Sequence, residues 1–152
     1  MRPFFLTTAP TAANLTLLIE LAMALGLTFG AWMARRRWYR GHAWCQSVVV
    51  LLNAVLIATY MVPSFLTNVN PQIPKKLGHS FYGLAITHAI LASAVELAAF
   101  YLMVVAGSDL LPKQLRLTNL KIGMRIVLAG WWLVFLLGLT TYVRWYVPLK
   151  RG

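Results

Sequence analysis

Hydrophobic residues fall into four long blocks separated by short polar or basic stretches. A helix needs roughly 20 apolar residues to cross a bilayer core about 30 Å thick. The pattern predicts four spans, at about 14–34, 42–65, 78–105 and 122–142. The expected fold is therefore all-α, an integral membrane four-helix transmembrane bundle forming one domain over 1–152. Residues Met1 to Ala13 form a short leader. Arg2 and the apolar run after it have the form of a secretory signal. The run ends at Arg35-Arg36-Arg37 instead of a small-residue cleavage site, so it reads as a retained span.

Polar residues inside these blocks carry the most information. On a helix advancing about 100° per residue, His42, Gln46, Asn53, Tyr60 and Ser64 share an arc of roughly 40° on the second span. Lipid supplies no partner for such a row, so it is expected to turn inward. It serves either as glue between helices or as a functional seam. In the first span Ala22, Gly26, Gly30 and Ala34 recur every four residues, and Gly26 to Gly30 is a GxxxG. Small residues at that spacing allow close helix approach. Glu20 lies roughly opposite this stripe, so one of the two faces is a candidate for a partner protein, or the bundle wraps both. The third span carries His79, His88 and Glu96. His79 and His88 are half a turn out of phase and cannot be two ligands on one face. The fourth has Trp131-Trp132 at its middle.

Composition agrees with this reading. Of 152 residues 60% are hydrophobic and 11% charged, against about 25% charged in an ordinary soluble domain. A net charge of +11 in a soluble chain suggests nucleic acid. Here the basic residues flank apolar segments, which is the pattern of membrane topology and lipid headgroup contact, and nucleic acid is not an expected partner. Arg35, Arg36, Arg37, Arg40, Lys113, Arg116, Lys121 and Arg125 fall on one side; Arg2, Lys75, Lys76, Arg144, Lys150 and Arg151 fall on the other. The positive-inside rule then puts both termini outside. The single cysteine, Cys45, excludes an internal disulfide and reads as a small buried residue.

A rise of 1.5 Å per residue turns this topology into a depth map. It expects a cytoplasmic-side cluster of His42, Gln46, Glu96 and Arg125, with Glu96 and Arg125 as a structural or functional pair. It expects an outer-half cluster of Glu20, Tyr60, Ser64, His79 and His88. His88 is expected to face span two or span one, near Asn53, Tyr60 or Glu20. His88 and His42 are the candidate haem or copper ligands, and His88 is equally a hydrogen-bonding or proton-carrying group. The map separates these two histidines by about a dozen residues of rise, which disfavours bis-histidine haem inside one chain. Met61, Met103, Tyr60 or a partner subunit remain as completing ligands. No nucleophile, base and orienting group share one plane, so a hydrolase is not expected.

The order of features resembles a family of small four-helix bacterial membrane proteins that includes YozB and CtaM. Nearly the whole chain takes part in the resemblance. The residues that carry it are Glu20, Arg35-Arg36-Arg37, His42-Ala43-Trp44-Cys45-Gln46, Leu52-Asn53, Met61 to Phe65, His88 with Glu96 and Tyr101, Leu115-Arg116, Met124-Arg125, Trp131-Trp132 and Thr141-Tyr142. The resemblance implies a role in maturation of haem-copper terminal oxidases, in the bacterial cytoplasmic membrane. Some relatives have a further histidine in the basic loop before the last span, whereas residues 115–121 here have none. Three expectations follow. The first is a non-enzymatic accessory protein bound to a larger membrane subunit of an oxidase or related respiratory complex, presenting its GxxxG and polar patches. The second is a small haem-binding redox protein. The third is a purely structural subunit.

Overall fold

The computed structural model describes residues 9–73, 80–108 and 112–147. It is all-helical among these residues, with four helices long and apolar enough to cross a membrane. They are α1 (Thr11–Arg35), α2 (Tyr39–Gln72), α3 (Ser80–Gly107) and α4 (Leu120–Tyr146). Neighbouring helices run antiparallel in the ring order α1, α2, α3, α4. Leu25, Val55, Ile90, Leu97, Ile126 and Leu136 are exposed on the outside, the distribution of a multi-pass membrane protein. Met23, Leu27, Val49 and Trp131 form the buried centre.

The turn between α1 and α2 is a Schellman motif. Trp38 N–H donates to the Met33 carbonyl at 3.0 Å and Arg37 N–H to the Ala34 carbonyl at 3.1 Å. The position that favours glycine is held by Arg37, with φ 62°. The Trp38 ring lies so close over Gly41 that a Cβ there would sit 2.9 Å from it, and 3.2 Å from Met33 Sδ. Gly41 thus leaves room for the apolar contact that accompanies this motif.

Residues 67–72, expected to be loop, are helical and extend α2. At about 1.5 Å per residue α2 is roughly 50 Å long, more than the ~30 Å core requires. Two widened turns interrupt it, with Val62 N–H reaching the Ile57 carbonyl and Asn70 N–H the Phe65 carbonyl. Each precedes a proline, Pro63 or Pro71, which lacks an N–H and whose ring crowds the carbonyl one turn back. The i→i+5 turns relieve both problems. Ile57, Tyr60, Met61 and Ser64 all stay on the less exposed side of α2, and of these Ile57 and Met61 line the central cavity with Asn53. Ser64 accepts from the Asn68 amide, through its carbonyl at 3.0 Å and its hydroxyl at 3.3 Å.

Each hairpin has its own small-residue seam. In the first, a Cβ on Gly26 would sit 3.3 Å from Val49, and one on Gly30 would sit 2.5 Å from Gln46 Nε2. The GxxxG is thus occupied by α2 within the chain, which removes it as a surface for a larger subunit. In the second, Gly123, Gly130 and Gly138 of α4 receive Leu102, Val95 and His88 of α3. The spacing of seven and eight residues is that of a coiled-coil seam, with glycines as the holes.

A buried polar centre as the candidate functional site

On the α1–α2 seam, two side chains of the polar row and the neighbouring Cys45 donate to carbonyls of α1. His42 Nδ1 donates to Gly30 at 2.9 Å, Cys45 Sγ to Gly26 at 3.2 Å and Gln46 Nε2 to Leu27 at 3.1 Å. The small residues of α1 expose these carbonyls, so the polar row has acceptors where lipid offers none. Cys45 is thus a hydrogen-bond donor as well as a packing residue.

About two turns deeper along α2, Asn53 Nδ2 donates to Glu96 Oε2 at 2.7 Å. Both residues are buried, and among the described residues Glu96 Oε1 has no hydrogen-bond partner. This corrects two expectations. Glu96 lies at the level of Asn53 near the middle of the bundle, not with His42 and Gln46 at its end. Its partner is Asn53, not Arg125, which is exposed. The physical reason is geometric. α3 turns Glu96 toward α2, and a neutral amide supplies a donor without bringing a second charge into the interior.

The remaining polar groups meet around a small central cavity of about 30 Å³, room for about one water. All four helices line it: Glu20 from α1, Asn53 and Met61 from α2, His88 from α3, and Trp131 and Phe135 from α4. His88 Nδ1 donates to the Val134 carbonyl of α4 at 3.1 Å, so its anchor is span four, not the expected span one or two. Gly138 makes the approach possible, since a Cβ there would sit 3.0 Å from His88 Cε1 and 3.6 Å from Glu20 Oε2. Glu20 and His88 are thus brought together, as the depth map expected, and Asn53 shares their cavity. Tyr60 and Ser64 are not in its lining, and His79 lies outside the described residues.

A carbonyl only accepts, so both His42 and His88 carry a hydrogen on Nδ1 and present Nε2 as the remaining ring nitrogen. Metal-bound histidines are commonly held in this way. The two are not brought together. His42 lies at the level of Gly30 and His88 at that of Glu20, about 15 Å apart along α1. Among the described residues no three His, Cys, Asp or Glu side chains cluster as a metal site. The central cavity is about a tenth of the ~300 Å³ at which ligand pockets begin, so it does not admit a haem.

Two ties close the ends of the bundle. The Tyr142 hydroxyl donates to Asn14 Oδ1, joining α4 to α1. At the other end Tyr101 donates to the Leu115 carbonyl and accepts from Leu117 N–H, holding the α3–α4 loop. Arg116 donates to the Ser108 carbonyl at the end of α3. No family model, curated protein or solved structure matches this chain.

Proposed function

We propose that this is a non-enzymatic membrane accessory protein that helps assemble, or stays bound to, a haem-copper terminal oxidase or related respiratory complex. The observation that carries the accessory role is the use made of the interior. His42, Cys45, Gln46, Asn53, His88 and Glu96 hold helices to one another, and the central cavity is of water size. A bundle built this way acts on a larger protein through its outer surface. The choice of an oxidase rests on the resemblance to the YozB and CtaM family. The same reading places the chain in the bacterial cytoplasmic membrane with both termini outside. That orientation follows from the eight basic residues on the opposite side.

The test is affinity purification of the tagged protein from its own membranes in mild detergent, together with the oxidase spectrum and activity of a deletion strain. Co-purifying oxidase subunits and a loss of assembled oxidase are expected. Intact oxidase in the deletion strain with no oxidase subunit retained would overturn the proposal. A second reading is a haem-binding redox protein. It is favoured by the Nδ1 anchoring of His42, away from the central cavity, which leaves Nε2 for iron at a site completed by a partner. Spectra of the purified protein before and after dithionite separate the two, because only the second gives a reduced haem band.

A further inference from the structure

Glu20 and His88 come from different hairpins and meet at the central cavity of about 30 Å³. Both also stand against Gly138, Glu20 through Oε2 and His88 through Cε1. Nδ1 of His88 is committed to the Val134 carbonyl at 3.1 Å. That leaves Nε2, the other neighbour of Cε1, as the ring nitrogen available to the cavity, and without a hydrogen it can only accept. Among the described residues no hydrogen bond or ion pair involves the Glu20 carboxyl. Asn53 is the third polar residue of the lining. Its amide nitrogen donates to Glu96 at 2.7 Å, which leaves its side-chain oxygen as an acceptor. The rest of the lining is apolar, so neither α2 nor α4 brings a charged or titratable group to it. Glu96 of α3 reaches it only through Asn53.

We propose that the cavity binds one water molecule that bridges Glu20 to His88 and Asn53, and that the Glu20 carboxyl holds the proton it donates to this water. The volume is about that of one water, and three polar groups is the usual number of partners for a buried one. The hydrogen count fixes the direction of each bond. Nε2 and the Asn53 oxygen both accept, and a water has two hydrogens to give them. The remaining bond is one that the water accepts, so its donor is a hydrogen on Glu20. A neutral acid, a neutral imidazole and a water bring no net charge into the interior, where an isolated carboxylate is costly. The unit therefore stores one proton inside the bundle. It joins α1 to α3, and it reaches α2 through Asn53 and α4 through Val134.

Infrared and nitrogen-15 NMR spectra of the full chain in lipid nanodiscs test the proposal. At neutral pH the carbonyl stretch of a protonated carboxyl should be present, and Glu20→Gln should remove it. His88 Nε2 should resonate as an unprotonated, hydrogen-bonded nitrogen with a cross-peak to bound water, a reading that needs no variant. Ala92→Val adds two methyl groups to the lining and displaces the water without altering a polar residue. In that variant the cross-peak should vanish, the His88 Nε2 signal should move, and the Glu20 carbonyl band should shift to higher frequency. His42 lies outside the cavity and should keep its signals, which together with circular dichroism establishes that each variant is folded. A wild-type spectrum with no protonated-carboxyl band lost in Glu20→Gln would overturn the proposal. So would the absence of the water cross-peak in the wild type. Unchanged His88 and Glu20 signals in Ala92→Val would assign a direct carboxyl–imidazole bond instead of a bridging water.

Discussion

Alanine placed in turn at each glycine of the α3–α4 seam should separate three steric situations. At Gly130 the new Cβ meets Val95 Cγ2 at 2.9 Å. Valine is branched at Cβ and has one strongly preferred rotamer in a helix, so it cannot swing clear. The helices must part, and overpacking of this kind costs about 1–3 kcal/mol. Alanine's better helix propensity returns up to ~1 kcal/mol, which from the middle of that range leaves a net loss of about 1 kcal/mol. At Gly138 the obstacle is His88 Cε1 at 3.0 Å. The imidazole must move and weaken its bond to Val134, a further loss of about 1 kcal/mol. At Gly123 the nearest atom is a terminal methyl of Leu102 at 3.1 Å, which gives by a small rotation, so the change should be close to neutral. Gly83 has nothing within 4 Å, and alanine there should stabilise by up to ~1 kcal/mol. Unfolding by sodium dodecyl sulfate in bicelles, followed by circular dichroism, measures the series. Val95→Ala combined with Gly130→Ala supplies the control, since removing the obstructing methyls should return part of the loss. A Gly130→Ala protein as stable as wild type, or no recovery in the double variant, would refute the seam as described.

The remaining predictions are more local. Glu96→Ala strands the Asn53 amide, and Asn53→Ala strands the Glu96 carboxyl, each at about 1–3 kcal/mol, whereas the double variant should cost less than their sum. A coupling below about 0.5 kcal/mol in that cycle would refute the pair, and Arg125→Gln should not alter it. Arg37→Gly should stabilise by about 1 kcal/mol in thermal unfolding, since glycine adopts φ 62° without a Cβ penalty. No gain would mean the turn relaxes in solution. Tyr142→Phe removes the donor to buried Asn14 and should destabilise by about 1 kcal/mol, with Asn14→Ala adding little to it in the double variant.

Much of the fold was legible because apolar blocks of this length have few alternatives. The four spans and the closeness of Glu20 to His88 follow from block boundaries and helical rise alone. The course of α2 was harder to read. Extrapolation at 100° per residue put Tyr60 and Ser64 on the inward side of the helix, where they lie, but it did not show the wide turns at 57–61 and 65–69 that precede the prolines at 63 and 71. The continuation of α2 to Gln72 was hidden by the same prolines, together with asparagines that normally mark loops. In fact Thr67 and Asn68 bond back to carbonyls one turn earlier. Charge was also misleading. Glu96 and Arg125 were paired on sign and approximate depth, and neither reports which way a side chain faces. The second glycine seam had a visible signal in the spacing of Gly123, Gly130 and Gly138. It becomes meaningful only when read against Leu102, Val95 and His88 running seven apart in the opposite direction.

The two halves of the bundle are held together by different means. Within each hairpin, glycine seams bring backbones close, and dispersion contacts with polar-to-carbonyl bonds secure the pair. Between the hairpins the described polar ties are Asn14 to Tyr142 and Asn53 to Glu96, on either side of the packed group Met23, Leu27, Val49 and Trp131. Apolar packing alone is a weak discriminator in lipid, because lipid tails compete for the same surfaces. A polar pair is a strong one, since a register shift leaves both members without partners. The small cavity lined by Glu20, Asn53 and His88 lies at this junction, where four helices meet and no single seam fills the space. The buried polar residues therefore fix how one hairpin is set against the other, and with it the shape of the outer surface.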